Sequence, residues 1–208
     1  MISFKNTHTK TGFTVVELLV VIVVLVLLAG IIALSYGGYQ QKARDGERRS
    51  DVTQIAAALS NYKNWKNTYI EQGSGCGSSA AGPINGSGNG WLAAKSTDIA
   101  TYATNSILDC LVTAKMLPDA TVIDPSGCKW DSAASCGVAG SVPTKAYMKA
   151  TCTKGGIKKT YIFAYLETQP SDNATIDNLC DTGTIVGFSG VSEDWGTRYG
   201  MNYYVLVP

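Results

Sequence analysis

One carboxylate stands near the start of the segment KTGFTVVELLVVIVVLVLLAGIIAL, Lys10 to Leu34, and Glu17 is the only ionisable residue in the 20-residue run Val15 to Leu34. An ionised group costs roughly 2.5–3.5 kcal/mol at the centre of a membrane helix and less toward the interface. A carboxylate in that position calls for a partner. The second set of reactive side chains is six cysteines, Cys76, Cys110, Cys128, Cys136, Cys152 and Cys180, all of which follow the apolar run. None lies in a CxxC pair, and the single histidine, His8, precedes the run. Zinc sites use closely spaced Cys or His pairs, so neither a metal nor any other cofactor is expected. An even cysteine count beyond an apolar span predicts three disulfides in an oxidising compartment. Their pairing is open, and a reduced cytosolic core is the alternative.

The remaining chemistry is sparse. His8 offers no triad with Ser and Asp, and no G-x-S-x-G, P-loop or H-E-x-x-H occurs, so the chain does not read as an enzyme. Asp119, Asp124 and Asp131 fall in one loop without EF-hand spacing and read as a solvated acidic loop. With 17 basic and 16 acidic residues and no basic stripe, nucleic acid as a partner is unsupported. Lys145, Lys149, Lys154, Lys158 and Lys159 form the only cluster worth testing for it, and they read as a solvated sheet edge. Tyr161, Tyr165, Tyr199, Tyr203 and Tyr204 read as strand-face and core packing rather than a stacking platform.

The elements that must position these residues begin with one helix. At 1.5 Å per residue the apolar run spans about 30 Å, the thickness of a bilayer's hydrocarbon core. No second such run exists among the 208 residues. Beyond it, Val52, Ile55, Ala56, Leu59 and Tyr62 are spaced to form one apolar stripe, and Asp45 and Arg49 are spaced as a favourable i,i+4 pair. No proline interrupts Phe13 to Gly82, so one helix is predicted from Thr14 to Trp65, with bending or local melting at Gly37, Gly38 and Gly46. Glu71 to Trp91 is glycine- and serine-dense and reads as loop. NSILDCLVTAKML predicts a helix with Asn105 as a candidate N-cap, ended by Pro118, and Asp119 to Gly140 reads as irregular. Strands are predicted at AYMKATC from Ala146, KKTYIFAYLET from Lys158, TIVGFSG from Thr184 and GMNYYVLVP from Gly200, with a tight turn at Gly155–Gly156. The fold class expected is α+β, a long helix followed by a small antiparallel sheet head with disulfides. Lys5, His8 and Lys10 place the short N-terminal segment inside and the head outside, although Lys42, Arg44, Arg48 and Arg49 weaken that bias.

GFTVVEL resembles the prepilin signature of type IV pilins and of the pseudopilins of type II secretion and DNA uptake. ARDGERRSDVTQIAAALSNY is similar to the helix continuation of that family, and CLVTAKMLPDATVIDP and YIFAYLE are similar to later parts of it. The resemblance implies a type IV pilin-like architecture with four parts: leader 1–12, membrane-spanning or filament-core helix 13–35, amphipathic continuation 36–70 and globular head 71–208. It implies cleavage between Gly12 and Phe13 by a prepilin peptidase that also methylates the Phe13 amine. It implies that Phe13 and Glu17 carry assembly, the carboxylate meeting the new amine within one subunit or on a neighbour. The partners implied are sister subunits in a helical filament, an inner-membrane assembly platform, and lipid before assembly. The location implied is a single-pass membrane protein with an extracytoplasmic head, then a surface filament. A structural subunit of a type IV pilus-like filament is the main expectation. The alternatives are a pseudopilin of a secretion or DNA-uptake system, and a membrane-anchored extracellular binding module. The chain departs from many pilins in lacking a proline in the first helix, and its cysteines do not map onto the common single C-terminal pair.

Overall fold

The computed structural model describes residues 12–68, 70, 90–92, 107–118, 124–126, 145–185 and 194–208. Helix α1 runs Val15–Lys66, within a residue of the predicted limits at each end. The chain divides into two compact units, Met1–Gln40 and Gln41–Pro208. In the first unit α1 is apolar on every side and none of its span is covered by the chain itself. In the second, the predicted stripe is the buried face: Val52, Ile55, Ala56, Leu59 and Tyr62 are all in the core. The helix stops at Asn67, whose φ of 53° is the left-handed conformation that asparagine tolerates, with Lys63 and Lys66 in the last turn facing the negative end of the dipole.

Among the described residues four strands follow: β1 Gly90–Trp91, β2 Met148–Lys154, β3 Ile157–Ala164 and β4 Tyr203–Val207. They form one antiparallel sheet in chain order. Gly155 (φ 60°) and Gly156 (φ 79°) make the predicted tight turn between β2 and β3, with the double positive φ that only a pair of this kind adopts without strain. Period-two alternation divides the sheet between two cores. Ile162, Ala164 and Val207 join the α1 stripe and α2 (Ile107–Thr113). Met148, Ala150, Cys152, Tyr161 and Phe163 face the other way, onto Ile176, Cys180, Trp195, Tyr199 and Met201. Both faces of Met148–Thr151 in β2 and of Thr160–Ala164 in β3 are thereby covered.

Helix α2 ends as a Schellman motif. Met116 N–H donates to Leu111 C=O at 2.8 Å, Lys115 N–H donates to Val112 C=O at 2.9 Å, and Lys115 takes the left-handed φ of 59°. Two short helices were not predicted: α3 Asn173–Ile176 and α4 Trp195–Tyr199. Neither has periodicity long enough to read. Side chains build them instead. The Asp172 carboxylate accepts from Thr175 N–H, and Asp177 accepts from Gly196 N–H at 2.6 Å and from the Thr197 hydroxyl at 2.7 Å. A Cβ on Gly196 would lie 2.8 Å from Asn173 Cα, so the close approach of α3 and α4 requires glycine there.

Several expectations are corrected. Gly90–Trp91 pairs with Lys149 and Met148, so the predicted loop ends in a strand. Thr184 and Ile185 are not strand: the Thr184 hydroxyl shares its one proton between Asp181 C=O at 2.6 Å and Thr153 C=O at 3.0 Å, which turns the chain beside β2 instead of extending it. The rest of that predicted strand, like Asn105 and most of 119–140, lies outside the described residues. Lys149 is not on a solvated edge. It is buried, with Nζ donating to Ile70 C=O and to the Thr151 hydroxyl, each at 3.1 Å. Tyr161 and Tyr199 are buried in the second core, as read from sequence, and Tyr165, Tyr203 and Tyr204 are half-buried.

The charged residues at 44–49 carry the largest correction. Asp45 does not pair with Arg49. Arg48, fully buried, donates from Nε and Nη2 to both oxygens of Asp124 (2.7 and 3.1 Å), and from Nη1 to Asp45 (3.0 Å) and Glu167 (2.8 Å). Arg44 forks onto Glu167 at 2.7 and 2.6 Å. Asp45 in turn accepts from the backbone N–H groups of Glu167 and Thr168, both at 2.8 Å. Arg49 lies 5.0 Å over the Tyr203 ring and donates to Gln169. Asp124 is therefore no member of a solvated acidic loop, while Asp119 and Asp131 lie outside the described residues. Among the described residues no group of three or more His, Cys, Asp or Glu could hold a metal.

This network sets the pH response. Donation from Arg44 outweighs burial and, with Arg48, holds the Glu167 carboxyl down at about 2. Burial pulls Asp45 up, but the Thr168 hydroxyl, two backbone amides and Arg48 leave it lowered. Nearby, Tyr147 donates to Asp51 at 2.7 Å, and burial holds the Asp51 carboxyl above its ordinary range, a contribution of opposite sign. A lowered carboxyl stabilises the fold above its unfolded pKa and loses that contribution as pH falls through the folded value. Glu167→Gln is expected to cost about 3 kcal/mol at neutral pH. Urea titrations of the two proteins should show that gap narrowing from about pH 4.5 down to about pH 2.

Candidate assembly site

The first turn of α1 carries the predicted processing and assembly residues. Gly12 and Phe13 precede the helix and Phe13 is 84% exposed. Thr14 is the N-cap, its carbonyl accepting from Leu18 N–H. The Thr14 hydroxyl accepts from Glu17 N–H at 3.2 Å. The Glu17 carboxylate reaches back to accept from Thr14 N–H and from the Thr14 hydroxyl, both at 2.8 Å. This is a reciprocal capping box: two helix-start N–H groups that no carbonyl can reach are satisfied by two side chains. The expectation of a charge partner for Glu17 overlooked it, although T-x-x-E in TVVE is the signal for such a box.

Both Thr14 donors reach the same carboxylate oxygen, Oε2. Oε1 has no donor among the described residues. The Phe13 nitrogen here is a peptide nitrogen without charge, so the chain with its first residues attached holds no cation at that position. The carboxylate is thus positioned by one oxygen and presents the other at the helix start. Beside it Val15, Val16, Leu18 and Leu19 are exposed, and further along Leu25, Val26 and Leu27 as well, an apolar surface that none of the described residues of this unit covers.

Among the predicted disulfide residues, Cys152 and Cys180 are joined, with Cα atoms 5.8 Å apart and a sequence separation of 28. The bond lies in the second core and ties β2 to the segment after α3. Cys110 is also disulfide-bonded. No described cysteine is free, and Cys76, Cys128 and Cys136 lie outside the described residues.

No family model and no solved structure matches the chain. Among curated proteins, the type II secretion system core protein G of Pectobacterium carotovorum subsp. carotovorum is similar, 37% identical over 71 residues. The match covers 33% of this chain and 46% of that relative, so the chain spans about half the length of the curated relative it matches.

Removing the Thr14 side chain should loosen the first turn. Thr14→Ala is expected to cost about 1 kcal/mol at the cap and to speed Glu17 amide exchange about fivefold in detergent micelles, whereas Thr14→Ser should leave it unchanged. The long apolar N-terminal helix, the small antiparallel sheet with its disulfide and the relative's identity together support a type-IV-pilin-like superfamily for this chain.

Proposed function

We propose that this chain is a non-enzymatic structural subunit of the pseudopilin kind, anchored in a membrane through the first half of α1 and assembled with sister subunits through the same surface. The observation that carries this is the similarity to a type II secretion core protein, joined to a helix whose apolar half none of the described residues of its unit covers. Such a surface needs lipid or other helices around it. Lipid before assembly and sister helices afterward meet that need in turn. Repetition of one heterologous contact then gives an open filament.

Processing is part of the proposal. Hydrolysis of the Gly12–Phe13 bond by a prepilin peptidase frees the uncharged peptide nitrogen as a cationic amine beside Glu17, and a separate transfer from a methyl donor leaves that amine methylated and still cationic. The capped carboxylate has Oε1 available for that amine, on its own or an adjoining subunit. A buried cation and anion must meet, or each carries a penalty of several kcal/mol. A surface pilus is the second reading, favoured by the disulfide-tied head. A membrane-anchored binding module is the third, and it needs no processing at all. Electron microscopy of cells with and without the gene separates pilus from pseudopilus.

Intact mass of protein from cells should show loss of Met1 to Gly12 and one added methyl. A product beginning at Met1 would reject the subunit reading and favour the anchored module. Glu17→Gln keeps the side chain's size and an acceptor oxygen for the cap but removes the charge. It should leave insertion and cleavage intact while processed protein accumulates in the membrane and sheared filaments vanish. Normal filament yield would remove Glu17 from the assembly role.

A further inference from the structure

Where the apolar run ends, α1 presents two tyrosines. Tyr36 and Tyr39 are 61% and 71% exposed, and their spacing places them on adjoining positions of one face. Single exposed aromatics on a protein surface need no explanation. This pair has a specific place. Nineteen residues separate Tyr36 from Glu17, a rise of about 28 Å, which matches the hydrocarbon thickness of a bilayer. Tyr39 lies about 4.5 Å further along the axis, still within the headgroup layer of a bilayer about 40–45 Å thick overall.

Between the rings stand Gly37 and Gly38. A Cβ at either would meet nothing within 4 Å, so close packing does not account for them. Positions 37 and 38 fall on other faces of the helix and add no side chain there, so Tyr36 and Tyr39 dominate the surface of that turn and headgroups can approach the bare backbone.

We propose that Tyr36 and Tyr39 form an interfacial belt that binds the phospholipid headgroup layer and fixes how deeply α1 sits. Their rings lie at the acyl boundary and their hydroxyls reach phosphate or glycerol oxygens, as amphipathic aromatics do at membrane interfaces. Setting Tyr36 at one boundary puts Glu17 at the opposite one, where a carboxylate costs far less than at the centre. The two tyrosines are thus positioning residues for Glu17 before assembly. This rests on the membrane-spanning reading of the run.

Bilayer depth can be read by tryptophan quenching in vesicles of phosphatidylcholine and phosphatidylglycerol carrying brominated acyl chains. Three variants of the full chain are compared with wild type, whose own tryptophans set the background: Val24→Trp, Tyr36→Trp and Tyr39→Trp. Residue 24 should be quenched at least about twofold more by bromine near the chain terminus, and residues 36 and 39 at least about twofold more by bromine next to the headgroup. Adding Tyr36→Ala and Tyr39→Ala to the Val24→Trp protein should shift its preferred depth. Quenching at residue 24 without the shallow preference at 36 and 39 would overturn the belt alone. An unshifted profile in the triple variant would overturn the depth-setting role. No quenching at any of the three positions would overturn the membrane-spanning reading, and the belt with it.

Discussion

A guanidinium with no access to solvent is the constraint around which the head is built. Arg48 stays charged at any pH the protein meets, so its burial is tolerable only with each donor directed at an acceptor. Asp124 supplies a bidentate partner, and Asp45 and Glu167 share Nη1. Those three acceptors come from widely separated parts of the sequence. Asp45 is on the helix, Asp124 lies between α2 and the sheet, and Glu167 follows β3. Satisfying one side chain therefore fixes where three chain segments meet. Apolar packing alone would hold them together without specifying their register as sharply. Asn202 extends the same construction, with its amide bonded to both backbone groups of Leu166 and to Gln169 C=O, so that entry into β4 is tied to the exit from β3.

Legibility in the sequence followed the range of the interaction. The stripe from Val52 to Tyr62 was readable because its signal is the helix's own period, and each member is indeed buried. The Gly155–Gly156 turn was readable because the two residues themselves permit the φ values required. Arg48 was not. Among the polar residues from Lys42 to Asp51 nothing in the local pattern distinguishes a buried guanidinium from a solvated one. Its partners stand 76 and 119 residues away. Local spacing favoured the Asp45–Arg49 pair, worth a few tenths of a kcal/mol. A desolvated network with charge-assisted bonds overrides a preference of that size.

Lys149 and the helices α3 and α4 failed for a related reason. A lysine in a strand reads as solvent-facing, yet here its stem lies in the sheet's helix-side layer and its ammonium meets Ile70 C=O. The short helices have too few residues to nucleate on propensity. They exist because carboxylates of Asp172 and Asp177 satisfy their first amides and because Gly196 lets them touch. Such elements are written as single side-chain contacts, and these become visible only once the rest of the chain is in place.

The two units of the chain use charge in opposite ways. In the head, the buried Arg48 guanidinium is met directly by Asp45, Asp124 and Glu167, so opposite charges are paired inside. In the N-terminal unit one carboxylate stands on an otherwise apolar helix, half satisfied by Thr14. A capping box contributes about 1 kcal/mol. An unpaired charge transferred out of water costs several times that. The cap therefore orients Glu17 without neutralising it. The carboxylate keeps a demand for a cation that the described residues of its unit do not meet, and the apolar residues around it keep a demand for a nonaqueous neighbour. In the subunit we propose, a helix with both needs at one end is stable at a bilayer boundary and more stable against a partner that brings a positive charge. In that proposal the difference is the driving force for leaving one environment for the other, and it resides in the first turn of α1, apart from the paired charges of the head.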